Sequence, residues 1–160
     1  MLAWLESSAL SIWMRDSLWA YPIMLTIHAI GMALLVGTLT VIALRILGLG
    51  RFSMAPLQQY FLVVRMGFGV SLVSGSILFL TAPSAFAGAA HFFFSPSFRV
   101  KMLVVFLGVI IAWILRSRLA RDGTDWPNGE APQGIKVLAG LSLVLWFGAI
   151  MVGRLTAYLP

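Results

Sequence analysis

The sequence contains no cysteine and only five acidic residues among its 160. The lack of cysteine excludes disulfides, thiolate metal sites, iron–sulfur ligation and haem attachment through thioethers. The long apolar segments contain no acidic residue at all, which argues against proton pumping or cation transport through a carboxylate. No HExxH, P-loop, G-x-S-x-G or GxGxxG motif is present. The sequence therefore predicts a protein that is not catalytic on its own.

Charge of either sign is scarce, whereas apolar residues dominate. Charged residues make up 10% and hydrophobic residues 61% of the chain, although a soluble domain would be about 25% charged. Backbone polar groups inside a bilayer must bond to one another, so the apolar segments are predicted to be helices. We predict an all-α, polytopic four-helix transmembrane bundle formed by residues 1–160 as one membrane domain in a lipid bilayer. The predicted spans are 22–47, 66–82, 102–115 and 137–152.

Residues 1–20 are predicted to form an amphipathic helix in the membrane interface. They contain Glu6 and Asp16 and have no basic start, so they are not a secretory signal peptide. Tryptophan favours the interfacial depth, and Trp4 and Trp13 lie in this segment. Packing of these two tryptophans on a partner subunit is the alternative.

The basic residues predict the direction of the bundle rather than nucleic-acid binding. Seven of them follow the first span or flank the connection between the third and fourth spans: Arg45, Arg51, Arg65, Arg116, Arg118, Arg121 and Lys136. The other side has four: Arg15, Arg99, Lys101 and Arg154. The positive-inside rule makes the seven-residue side cytoplasmic, so both termini should lie outside, on the periplasmic side.

His28 is the ionisable residue that stands inside the first apolar span. Such a residue is costly in a bilayer and often marks a site. The alternative is an imidazole that is hydrogen-bonded to a neighbouring helix. Met24, His28 and Met32 share one helix face because they are four residues apart. Their ligand atoms suit copper(I) or haem iron, although methionine is also a common apolar filler.

Further candidates are predicted at the same depth as His28. Lys101 is at the start of the third span, and Arg154 is at the end of the fourth. His91 lies in the loop between the second and third spans. A buried imidazole with two cations would suit a haem b with outward propionates, a quinone head group or an anionic lipid. Six-coordinate haem iron would need a second ligand. The candidates for it are His91, Met102 and Met151.

Small residues recur every fourth position on two spans. Gly67, Ser71 and Gly75 do so on the second span, and Ala29, Ala33 and Gly37 on the first. This spacing lets helices approach closely, so we predict helix packing at both stripes. A glycine-lined gap for a flat macrocycle is the alternative.

The sequence resembles a family of small bacterial inner-membrane proteins of unknown function. The resemblance rests on SLWAYPIMLTIHAIGMALLVGTL, LRILGLG, FRVKMLVVFLGVIIAWIL and SLVLWFGAIMVGRLTAYLP, which together span nearly the whole chain. More remotely, the layout is similar to copper-resistance D-type proteins and HemJ-type protoporphyrinogen oxidases. The resemblance implies a multi-pass protein of the bacterial inner membrane and selects His28, Gly31, Lys101, Gly153 and Arg154. Family members often have an acidic residue where this chain has Ala43, and a histidine where it has Arg116 or Ser117.

Three functional hypotheses follow from the sequence. The first is a membrane anchor or electron-transfer subunit that binds haem b or quinone near the outer face through His28, with Lys101 and Arg154 holding anionic groups. The second is a cofactor-free accessory subunit that packs against another membrane or periplasmic protein. The third is copper handling by the Met24, His28 and Met32 stripe. Nucleic acid is not an expected partner.

Overall fold

The computed structural model describes residues 9–49, 57–81, 96–122 and 130–155. Within these ranges the chain forms five helices and no strand. The helices are α1 (Ala9–Asp16), α2 (Ala20–Ile46), α3 (Leu57–Leu80), α4 (Pro96–Asp122) and α5 (Gln133–Leu155). Helices α2 to α5 are each long and apolar enough to cross a bilayer. The predicted all-α, four-helix membrane bundle is thereby confirmed, and the chain is a multi-pass membrane protein.

Helices α3, α4 and α5 are several residues longer than the apolar runs that predicted them. Helix α3 begins nine residues before the predicted start at Met66, and α4 continues past Leu115 to Asp122. The added turns carry Arg65, Arg116 and other polar side chains. Arginine can keep its stem along an apolar surface while its head reaches water, so hydropathy alone underestimates the length of these helices.

Both ends of α2 have local causes. At its start, the Ser17 hydroxyl accepts hydrogen bonds from the backbone N–H groups of Trp19 and Ala20. At its end, Gly48 has a φ of 85°, a left-handed conformation that glycine adopts without strain. The backbone N–H groups of Gly48 and Leu49 then bond to Arg45 and Leu44. This is a Schellman motif, and it explains the LRILGLG segment.

The four long helices form a ring that is closed on three sides. Helix α3 packs extensively on α2, α2 packs on α5, and α5 packs on α4. Helices α3 and α4 touch at few positions, which leaves a seam between them. We call it the α3–α4 seam. The contacts of His28 with Gly75, and of Lys101 with Gly153, place these four residues at one end of the bundle. We call this the His28 end.

The hydrophobic core lies toward the opposite end. Its members include Leu39, Ile42 and Ile46 of α2, which are 0–2% exposed. Other large members are Leu35, Val36, Phe61, Val64, Ile111, Leu115, Leu119, Ile135 and Trp146. The buried residues nearer His28 are small or polar, among them Gly31, Ser71 and Ser74. The His28 end therefore holds polar groups where the other end holds packed aliphatic side chains.

The contact between α2 and α3 confirms one of the two predicted small-residue faces. A Cβ added at Gly67 would lie 2.7 Å from the Leu35 backbone nitrogen and 2.9 Å from the Gly31 carbonyl oxygen. A Cβ at Gly31 would lie 2.7 Å from the Ser71 hydroxyl oxygen. The two backbones thus approach closely because neither glycine has a side chain.

The second predicted face is wrong for packing within the chain. Ala29, Ala33 and Gly37 are exposed, and nothing lies within 4 Å of a Cβ added at Gly37. The residues of α2 that pack inward include Gly31 and Leu35 instead. Hydrophobicity is almost uniform around this helix, so it does not distinguish the inner face from the outer face. Small residues, the remaining signal, occur on both faces of the helix.

The described part of the N-terminal segment is helical and two-sided. Ser11 and Met14 of α1 are buried, whereas Ile12 and Trp13 are exposed. Trp19 and Leu18, in the short link to α2, are exposed as well. This pattern agrees with the predicted amphipathic helix. Trp4, Glu6 and the rest of residues 1–8 lie outside the described residues.

Candidate functional site

His28 lies between α2 and α3 and is held by a serine. Its Nδ1 is 3.0 Å from Oγ of Ser74, a residue that is 1% exposed. The Ser74 hydroxyl in turn donates a hydrogen bond of 2.6 Å to the Val70 carbonyl of its own helix. His28 itself is half-buried. The imidazole is therefore fixed to α3 rather than free in the bundle.

These two hydrogen bonds determine the tautomer of the neutral imidazole. A serine hydroxyl has one proton, and Ser74 gives that proton to Val70. Its oxygen must therefore accept the bond from His28, so Nδ1 carries a proton and Nε2 presents a lone pair. The imidazole also has a hydrogen bond with the backbone of Ser71, so both of its identified partners belong to α3. Nε2, the ring nitrogen that does not bond to Ser74, is the atom that we assign to a ligand.

Gly75 forms the surface on which the imidazole lies. A Cβ added at Gly75 would lie 3.0 Å from Cε1 and 3.4 Å from Nδ1 of His28. Because the 3.0 Å distance is shorter than most contacts of a Cβ, a side chain at this position would push the ring by a few tenths of an ångström. The glycine is thus needed by His28 and not by the approach of another backbone.

Lys101 lies across the last turn of α5. A Cβ added at Gly153 would lie 3.5 Å from both Cε and Nζ of Lys101. The lysine is half-buried, and its charge lies within electrostatic range of the His28 imidazole. No acidic residue occurs between Asp16 and Asp122 or after Glu130. Asp122 ends α4, at the opposite end of the bundle from Lys101, so no carboxylate of the spanning helices lies near this ammonium.

The other predicted cations and ligands are not all in the site. Arg154 follows Gly153 in α5, but its side chain is exposed. His91 lies outside the described residues. The predicted assembly of an imidazole with two cations is therefore reduced, within the described ranges, to His28 and Lys101.

The methionine candidates do not converge on His28. Met151 is 66% exposed and Met102 is 43% exposed, so both lie on the outer surface of the bundle rather than opposite the imidazole. Met32 packs against the hydrophobic core. Among the described residues no group of three or more histidine, cysteine, aspartate or glutamate side chains surrounds a metal-sized space. This arrangement does not bring Met151 or Met102 to His28, and their role as ligands stays a prediction.

The predicted cofactor role of Gly31 is also not fulfilled. The space above Gly31 is filled by Ser71 and Val70 of α3, at 2.7–3.0 Å from an added Cβ. Gly67 and Gly75 are likewise covered, by α2 and by the His28 ring. None of these glycines lines an open gap for a flat macrocycle.

A groove of about 410 Å³ runs along the outside of α2 and α3 beside the site. It is almost entirely apolar, and its only hydroxyl is that of Ser74, the partner of His28. The remaining lining residues are Met24, Ile27, Gly69, Val70, Val73 and Ile77. Met24 is thus part of the groove wall. An apolar chain in the bilayer fits such a surface.

The sequence did not single out Ser74, although it carries a usable signal. His28 is eight residues after the start of α2, and Ser74 is six residues before the end of α3. In antiparallel helices these positions lie at about the same depth, given a rise of about 1.5 Å per residue. Polar residues at one depth in neighbouring spans are expected to pair. The stacking of Phe79 on Phe98 was also missed, since aromatic residues are frequent throughout the chain.

Comparison with known proteins finds no matching family model, no curated protein and no solved structure that resembles the chain. The resemblance to small bacterial inner-membrane proteins therefore remains a prediction.

Proposed function

We propose that the chain is a membrane anchor subunit that binds a quinone head group at the His28 end. The observation that carries this proposal is the hydrogen bond that fixes Nδ1 of His28 to Ser74 of α3 and leaves Nε2 for a ligand. Lys101 adds a positive charge within electrostatic range of this imidazole. A reduced quinone donates a hydroxyl hydrogen bond, which Nε2 accepts. The Lys101 ammonium donates to the second oxygen of the ring.

Apolar surface adjoins the polar groups of the site. Ser74, the partner of His28, also lines the apolar groove on the outside of α2 and α3. Ligand sites commonly combine a large apolar lining with a few well-placed polar groups. His28, Ser74 and Lys101 supply the polar groups here.

Haem b, the other cofactor predicted from the sequence, is supported less well. A six-coordinate iron needs a second axial ligand. Of the three candidates, Met102 and Met151 are exposed, and His91 lies outside the described residues. A porphyrin also needs a wide gap between helices, whereas α2 and α3 are in contact at Gly31 and Gly67. A quinone ring is smaller and requires no ligand on its opposite face.

The test is the composition of the protein extracted mildly from its native membrane. Organic extraction and mass spectrometry should give close to one quinone per chain, and the visible spectrum should show no Soret band. The variant His28→Ala should lose the quinone. A matched control is Thr26→Ala, which removes a hydroxyl that bonds only to the Pro22 carbonyl of its own helix. A protein free of quinone, or a Soret band that disappears in His28→Ala, would reject the proposal.

A cofactor-free accessory subunit is the second candidate function. The observation that favours it is the exposed face of Ala29, Ala33 and Gly37, which would let a helix of another subunit approach α2 closely. Under this hypothesis Ala33→Leu would dissociate the native complex on a non-denaturing gel, and His28→Ala would leave the complex intact. Under the quinone hypothesis His28→Ala would lose the bound quinone, and Ala33→Leu would retain it.

A further inference from the structure

In the part of the chain that the structure describes, one aromatic pair closes the α3–α4 seam at the His28 end. Phe79 of α3 and Phe98 of α4 stack with ring centroids 5.0 Å apart and an angle of 20° between their planes. Elsewhere α3 and α4 touch at few positions. A stacked pair of this geometry is favourable beyond the area that it buries. It is thus a specific contact in an otherwise loose interface.

The pair lies directly beside the residues of the candidate site. Phe79 is one turn from Gly75, on which the His28 ring rests. Phe98 is one turn from Lys101 on α4. Because α3 ends and α4 begins at the His28 end, both phenylalanines lie about 4–6 Å nearer that end of the bundle than Gly75 and Lys101. The two rings therefore stand between the site and the end of the seam.

We propose that Phe79 and Phe98 form the wall through which a head group reaches His28 and Lys101, so that separation of the two rings opens the site along the α3–α4 seam. The identity of the ligand rests on the proposed function, but the wall does not. Entry along the seam requires no movement of α2 against α3, whose backbones are in contact. Among the described residues, it requires the separation of this one aromatic pair.

The test uses a single cysteine, because the chain contains none. The variant Lys101→Cys is reconstituted in lipid nanodiscs, which leave both faces accessible, and the rate of its modification by a charged methanethiosulfonate reagent is measured. Adding Phe79→Ala or Phe98→Ala should raise this rate by about two- to tenfold, the factor that corresponds to the energy of one aromatic pair. Adding Phe79→Leu, which keeps much of the apolar bulk, should also raise the rate through the lost stacking.

The matched control is Phe106→Ala, which removes an exposed ring of the same helix two turns away from Phe98. It should leave the rate unchanged. Equal rates in Lys101→Cys with and without the Phe79 and Phe98 substitutions would overturn the wall, and so would an equal increase with Phe106→Ala. If Phe79→Ala does not fold, the same comparison is made with Phe79→Leu.

The result for the wall is separable from the result for quinone binding. Modification of Lys101→Cys is measured without any ligand, so an increased rate in a protein that binds no quinone would support the wall and reject the proposed function. In the protein with Lys101 intact, Phe79→Ala should speed both association and dissociation of a short-chain benzoquinone analogue. Unchanged binding kinetics in a protein that does bind the analogue would reject the wall alone.

Discussion

Nδ1 of His28 donates a hydrogen bond of 3.0 Å to the hydroxyl of Ser74, and this bond joins α2 to α3 in the half of the bundle that has few large buried side chains. It decides which ring nitrogen is available. It also separates two serines of the same helix that look alike in the sequence. Ser74 has the imidazole as a partner, whereas the buried Ser71 hydroxyl has no hydrogen-bond partner in the structure.

The first prediction compares these two serines. Ser74→Ala should destabilise the bundle by ~0.6–1.7 kcal/mol, the range for polar contacts between membrane helices, because Nδ1 loses its acceptor. Ser71→Ala should be neutral or slightly stabilising, since it removes a buried hydroxyl that is not satisfied. Unfolding in mixed micelles by a denaturing detergent measures both. Equal effects of the two substitutions would contradict the assignment of the hydrogen bond.

The second prediction concerns the close approach of α2 and α3. Gly67→Ala should destabilise the protein by about 1–3 kcal/mol, because its Cβ would lie 2.7 Å from a backbone nitrogen that cannot move alone. Gly37→Ala is the control, since nothing lies within 4 Å of its Cβ. It should be neutral or stabilising by up to about 1 kcal/mol, the helix preference for alanine. The same unfolding assay applies, and a tolerated Gly67→Ala would show that the helices are further apart.

The spanning helices were predictable because the bilayer imposes simple rules. A run of apolar residues must be helical, so the four spans follow from composition alone. The rules say little about orientation, since every face of such a helix is apolar. The small residues of α3 around Gly67 do pack against α2, as predicted. Those at Ala29 and Ala33 of α2 were also predicted to pack on a helix, but they are exposed.

The candidate site was predictable only where a residue is unusual for its surroundings. His28 and Lys101 stand out because ionisable groups are rare in a span, and the structure brings them close together. Met151 and Gly31 are ordinary in a membrane helix, so their direction could not be known from the sequence. Lys101 and Gly153 are 52 positions apart in the sequence and lie on different helices, so no local sequence pattern predicts their contact.

The third prediction is a double-mutant cycle between His28 and Gly75. Gly75→Ala alone should destabilise the protein by about 1–3 kcal/mol, because the new Cβ would lie 3.0 Å from Cε1 of the imidazole. In the His28→Ala background the ring is absent, so the same substitution should be neutral or stabilising. The difference between the two effects is the coupling energy. Additive effects would show that Gly75 is required by another neighbour.

The last prediction separates a binding role of Lys101 from a structural one. Lys101→Met keeps an unbranched apolar side chain across Gly153 but removes a half-buried charge that has no carboxylate of the spanning helices near it. Because a charge in a span is costly, this variant should be as stable as the parent protein or more stable. Its affinity for a benzoquinone analogue should nevertheless fall about tenfold or more, since a hydrogen bond to a charged group contributes about 1.5–3 kcal/mol. Arg154→Ala, which alters an exposed cation one residue after Gly153, should change binding much less. Stability that falls together with affinity in Lys101→Met would instead assign the lysine to the packing of α4 on α5.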